Sequence, residues 1–214
     1  MHTTIVSRLT VFAAALLTAA SFQLQGVSAQ TKPAAPAPLT GTWTIDPVHT
    51  DIGFTIGHLG LSQVQGRFDT VSGTIVADKA HLANSSVQFT IQVDSVNTNN
   101  GMRDSDMKSK AYFDVATYPT ITFQSTSVSK TATGYAAVGN LTIKGVTKTI
   151  SLPFKVEGPI VDPWGSSRIG IVTSTVIDRV AYGVGGNDKL SDGSWAIGKT
   201  VAVAISLEAT AAKK

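Results

Sequence analysis

Val87-Gln88-Phe89-Thr90-Ile91-Gln92-Val93-Asp94 decides the fold class. Every odd position is apolar and every even one polar. Successive strand side chains point to opposite faces, so a period of two describes a strand with one buried face. An amphipathic helix would instead place its apolar residues three and four apart.

The same period extends outward in both directions. Ile52, Phe54 and Ile56 alternate with Gly53, Thr55 and Gly57, and Val64, Gly66 and Phe68 with Gln63, Gln65 and Arg67. Val71-Ile75-Ala77, Ile121-Phe123, Leu141-Ile143, Ile150-Leu152-Phe154-Val156, Ile169-Ile171 and Val201-Val203-Ile205-Leu207 repeat it. Thr and Val are abundant, as a pleated, half-buried surface prefers. Turn signals at 78–84, 129–134, 144–145 and 158–165 separate the runs. Short connections imply antiparallel pairing, because parallel strands need long crossovers. One segment, residues 99–112 (NNGMRDSDMKSKAY), lacks alternation and suits a short helix with Asn or Asp as caps.

The expectation is an all-β domain of about eight to ten strands with one helical insertion, closed on itself or folded into a sandwich to hide its edges. A barrel of about eight strands is just wide enough to hold one small ligand. Alternation alone leaves barrel and sandwich open. An outer-membrane barrel fits less well, since it needs aromatic girdles and aromatics are only 7% here. In a soluble barrel, Phe54, Ile56, Val64, Phe89, Ile91, Phe123, Leu141, Ile143, Phe154 and Ile171 are the candidate lumen residues.

The amino terminus reads as an export signal. Arg8 forms a short basic start, Leu9 to Ala20 an apolar run, and Val27-Ser28-Ala29 the small residues of a cleavage site. Residues 1–29 are therefore expected to leave, and the apolar run is short for an uncleaved anchor. Residues 30–38, with TKPAAPAP, read as a Pro/Ala-rich linker. The folded domain is expected over 39–210, followed by a basic tail at 211–214. Beyond the first 30 residues no run of about 18 uncharged apolar residues occurs, which argues against membrane insertion by a helix.

Composition excludes several functions. The 214 residues contain no Cys, so disulfide scaffolds, thiol catalysis and Cys-ligated zinc are out. A net charge of +3, scattered along the chain, is too weak to argue for nucleic acid. No GxSxG elbow or phosphate-binding glycine motif occurs, and Gly183 to Gly186 (GVGG) reads as loop punctuation. His49-Thr50-Asp51 could suggest a metal or general base, but no HxxxH pair or carboxylate cluster accompanies it, so a structural role is preferred. His81 falls in a turn. Asn84-Ser85-Ser86 fits a glycosylation sequon, a weak motif. The residues thus nominate no catalytic group, metal or cofactor. His58 continues the inward parity of Ile52, Phe54 and Ile56, so it either caps a carbonyl or meets a ligand head. Arg103 and Lys108 lie on the helical insertion, either as a solvated face or as a positive mouth.

Several motifs in order resemble one family. They are Trp43-Thr44-Ile45-Asp46-Pro47-Val48-His49-Thr50, Gly53-Phe54-Thr55-Ile56-Gly57-His58-Leu59, Gly66-Arg67-Phe68, and RDxxMKSKAYFDVATYPTITFQSTSV from Arg103. Gly139-Asn140-Leu141-Thr142-Ile143-Lys144-Gly145-Val146-Thr147-Lys148 and Asp162-Pro163-Trp164-Gly165, with Arg168 and Gly170, complete the set. Together they resemble the YceI-like family over about residues 41–209. The resemblance implies an extended, lipocalin-like antiparallel barrel in the periplasm. It implies a lumen that binds a polyisoprenoid or other long-chain lipid, frequent homodimers, and no catalysis. Asp106 departs from the family, which often carries His there; an acid near the mouth favours a neutral or weakly anionic head. The rival readings are an enzyme acting on a lipid or isoprenoid quinone in the same pocket, and a packed structural module.

Overall fold

The computed structural model describes residues 35–185 and 189–212. The expected signal, 1–29, lies outside them, as do the first part of the linker and Lys213-Lys214. Among the described residues, Leu39 already packs on the core, and Trp43 donates its indole N–H to the Leu39 carbonyl at 2.8 Å.

The strands, in chain order, are β1 Gly41–His58, β2 Ser62–Phe68, β3 Val71–Ala77, β4 Ser86–Gln92 and β5 Val96–Asn97. The helix α1, Gly101–Lys108, follows. Then come β6 Thr120–Lys130, β7 Tyr135–Ile143, β8 Val146–Val161, β9 Ser167–Asp178 and β10 Ile197–Ala211. All pairings between them are antiparallel, and β10 returns to β1, which closes the sheet. The structure is therefore a barrel and not a sandwich.

Ten strands make eight walls. β2 and β3 both pair with β1, and β5 and β4 pair with β2 and β3 in turn. Each couple is one wall interrupted by a short irregularity. The interruptions face each other: Asp69 donates its N–H to the Ser95 carbonyl, and Gln92 donates to that of Thr70. A second irregularity, between Ser125 and Ser127 in β6, changes which parity points inward. Ile121, Phe123 and Ser125 are buried before it and Val128 after it, as an extra residue in a strand requires.

The helix is shorter than the expected 99–112. Asn100 caps it by accepting the Arg103 backbone N–H at 3.1 Å, and Lys108 ends it. Residues 109–119 instead run in turns that send Tyr112 and Phe113 back over the barrel end. The domain also runs past the expected residue 210, because Ala211 still pairs with Trp43.

The two halves of the barrel differ. In the half holding Trp43, Ile45, Ile75, Phe123 and Ala209, side chains fill the interior. The half that receives α1 stays hollow.

Candidate functional site: an apolar cavity under the helix

The hollow half encloses about 700 Å³. That lies within the range of about 300–1,000 Å³ typical of small-molecule sites. Walls from eight directions supply aliphatic and aromatic side chains, each the inward member of an alternating pair. Seven of the ten lumen candidates line this cavity: Phe54, Ile56, Val64, Phe89, Ile91, Leu141 and Ile143. Phe123, Phe154 and Ile171 do not. They surround a residual space of about 40 Å³ in the filled half, where Phe89 stacks on Phe123 with ring centroids 5.3 Å apart. The parity reading placed all ten indoors, but periodicity carries no information on depth along the barrel. Ile52, Phe89, Leu152 and Ile205 border both spaces and form the floor between them.

Two loops cap the cavity. The first carries α1 and the segment after it, contributing Met102, Met107, Tyr112 and Phe113. Phe113 packs edge-on against Phe68, which in turn meets Phe54. The second runs from β9 to β10 and contributes Arg179, Tyr182 and Val184. Lys144 ties the caps together by donating to the carbonyls of Lys110 and Gly183, and Gly185 donates its N–H to Ala111. Gly185 has φ +76, and a Cβ there would overlap the Arg179 guanidinium. Only a residue without a side chain fits that left-handed, crowded position.

The polar candidates separate. His58 stands at the rim, exposed to solvent, paired across the hairpin with Ser62. Arg103 lines the cavity, but its Nε donates to Thr98 Oγ1 at 2.7 Å and its Nη2 to the Thr98 carbonyl at 2.8 Å. Thr98 is buried, and its N–H and hydroxyl both donate to Asp104. This triad fastens the base of α1 to β5. Lys108 does not border the cavity; it lies in the last turn of α1 and reaches Asp94 Oδ1 at 3.0 Å. Asp106 does border the cavity.

Sequence reasoning missed Arg179 and Tyr182. Both are buried and both line the cavity. Arg179 donates Nε to Gly198, Nη1 to Val184 and Nη2 to Ile197, all backbone carbonyls at 2.8–2.9 Å. The Tyr182 hydroxyl has no hydrogen-bond partner among the described residues, and burial pushes its pKa up, so it stays a neutral phenol. The one available signal was an Arg and a Tyr in the stretch RVAYGV, between two strands.

His49 belongs to a different structure, at the filled end. Its Nδ1 lies 2.9 Å from Asp46 Oδ2. Arg168 donates to Asp162 at 2.7 Å, to Asp46 at 2.6 Å and to Glu208 at 3.1 Å. The Arg168 guanidinium holds the Asp46 carboxyl well below the usual carboxylate range, helped by His49, and lowers Asp162 also. Asp46, His49 and Glu208 bring ligand-type atoms within 4.8 Å of one another. Arg168 already engages the Asp46 and Glu208 oxygens with the positive charge a metal would bring, so the cluster is a clasp between β1, β9, β10 and the turn after β8.

Comparison with known proteins agrees with this architecture. The chain is 40% identical over 144 residues to a UPF0312 protein of Yersinia enterocolitica, spanning 67% of this chain and 69% of that one. Among solved structures it resembles BcnA of Burkholderia cenocepacia, with 25% identity, a TM-score of 0.67, and 77% and 98% of the two chains covered. It also resembles the YceI protein of Campylobacter jejuni, with 31% identity, a TM-score of 0.61, and 78% and 96% covered. A polyisoprenoid binding domain from Saccharophagus degradans shares the fold at 20% identity, with a TM-score of 0.59 and 79% and 98% covered. The YceI-like domain itself matches residues 43–209, and this chain, a closed barrel with a capped cavity, belongs to the YceI-like family.

Proposed function

We propose that the protein binds the tail of a long-chain amphiphile, a polyisoprenoid or fatty-acid-like lipid, in the hollow half of the barrel, and that it does so in the periplasm without changing the ligand. The observation that carries this reading is the cavity of about 700 Å³ walled by aliphatic and aromatic side chains and capped by α1. Burying each methylene contributes about 0.8 kcal/mol. A chain of ten or so carbons therefore outweighs the lower part of the association cost, about 4–15 kcal/mol. The signal-like segment around Leu9 to Ala20 supports the compartment. The rim pair His58 and Ser62 shares no side-chain hydrogen bond among the described residues, so it offers no primed nucleophile.

The test is native mass spectrometry of protein purified from cells, followed by titration with lipids after delipidation. The expected result is a co-purifying long-chain species that returns unaltered. A chemically altered species would make the protein an enzyme, and failure to take up any long-chain lipid would make the cavity a packing feature.

A further inference from the structure

Arg179 and Tyr182 bracket the short 3-10 turn Val180–Tyr182. Three residues complete a turn of that helix, so side chains three apart lie on one side of it. Both residues border the cavity, and they are only 5% and 3% exposed. Arg179 has five N–H donors, and three are taken by neutral carbonyls, which leaves two. Among the described residues no carboxylate pairs with it. Its neighbour Asp178 faces away, accepting from the backbone N–H groups of Val180 and Ala181 and pairing with Lys199 at 2.9 Å. A buried guanidinium without counter-charge and a buried phenol without a partner are both costly arrangements. One oxygen anion would satisfy both.

We infer that Arg179 and Tyr182 form the head-group site for an acidic amphiphile, a carboxylate or phosphate at the end of the long apolar chain. The inference rests on the lipid-binding reading above and specifies its polar end. The surrounding charges favour it. Lys148 Nζ lies 5.7 Å from the centre of the Tyr182 ring. Arg103 also borders the cavity but is held by Thr98, and Asp106 is the one acid among the described lining residues. The head is thus read by Arg179 and Tyr182, on the turn after β9, and not by the helix.

The experiment compares a long-chain fatty acid, the alkyl phosphate and the primary alcohol of the same tail, each titrated against the delipidated exported protein, Tyr182→Phe and Arg179→Gln. Tyr182→Phe removes only an oxygen that has no partner, so it is expected to melt like the wild type. Wild type is expected to prefer at least one acid over the alcohol by about tenfold or more, the scale of charge-assisted hydrogen bonds. Tyr182→Phe is expected to shrink that preference about fivefold, and Arg179→Gln to abolish it. Preference for the fatty acid assigns a carboxylate head, and preference for the alkyl phosphate assigns a phosphate. Equal affinity for acid and alcohol in wild type, or an acid preference unchanged in a folded Tyr182→Phe, overturns the inference while leaving the lipid-binding lumen intact. Failure of all three ligands to bind wild type overturns the lumen reading itself. Should Arg179→Gln not fold, the Tyr182→Phe result decides alone.

Discussion

At Gly66 a Cβ would strike the Phe54 ring and the Thr98 methyl. The missing side chain is what allows Phe54 to lie across its neighbouring strand and form cavity wall. Gly66→Ala should therefore lower stability by about 1–3 kcal/mol, the usual cost of overpacking, and weaken lipid binding because Phe54 must move. Chemical denaturation and a lipid titration check both effects. Phe89 gives a sharper contrast. It forms part of the floor of the cavity, whereas Gln88 beside it is exposed. Phe89→Asp buries an unpaired charge and should cost at least about 3 kcal/mol; Gln88→Asp should change stability by less than about 0.5 kcal/mol. Similar unfolding midpoints for the two variants would contradict the in–out register of β4.

Among the elements, α1 and the Arg168 clasp guard opposite ends of the barrel. The clasp has a definite pH signature. Asp46 and Asp162 have folded-state pKa values below the ordinary 3.8, so the unfolded chain binds more protons in acid. Their contribution is complete above about pH 4 and is lost as pH falls below it. Asp46→Asn should flatten the acid limb of the stability curve, measured by urea midpoints from neutral pH down to about pH 2. An unchanged limb would place the acid-labile groups elsewhere. Much of this level was legible in the sequence. Alternation at 87–94 and 52–56 marks walls because one face meets an apolar interior and the other meets water. The helix was legible as an element, but its end was not, since Tyr112 and Phe113 leave it for a tertiary contact that no local pattern records. Of the two readings open for Lys108, a solvated face with ion pairs or a positive mouth, the structure has the first, since it pairs with Asp94. Arg179 and Tyr182 were invisible for a related reason. Their environment is assembled from β8, β10 and the residues after β9, far apart in the chain, and RVAYGV has no period of its own.

For the whole molecule, the export reading makes a direct prediction. The chain expressed in a bacterium should be released by osmotic shock and begin near Gln30; a membrane-bound form that retains Leu9 to Ala20 would count against it. The division of the barrel into a hollow and a filled half carries a further consequence. Ile52, Phe89, Leu152 and Ile205 stand across the lumen partway down. The wall from Ile52 to His58 spans seven residues, roughly 20 Å at the rise of a strand. A tail threaded past the rim is thus measured by a ruler with a fixed zero. Up to that depth each added carbon should tighten binding by about 0.8 kcal/mol, nearly fourfold. Beyond it the gain should stop, because further carbons must double back or remain in water. Affinity plotted against chain length would rise and then break, and Leu152→Ala, by opening the barrier toward Phe123, should move the break to longer tails. A line that climbs without a break would mean the barrier yields to the tail and measures nothing.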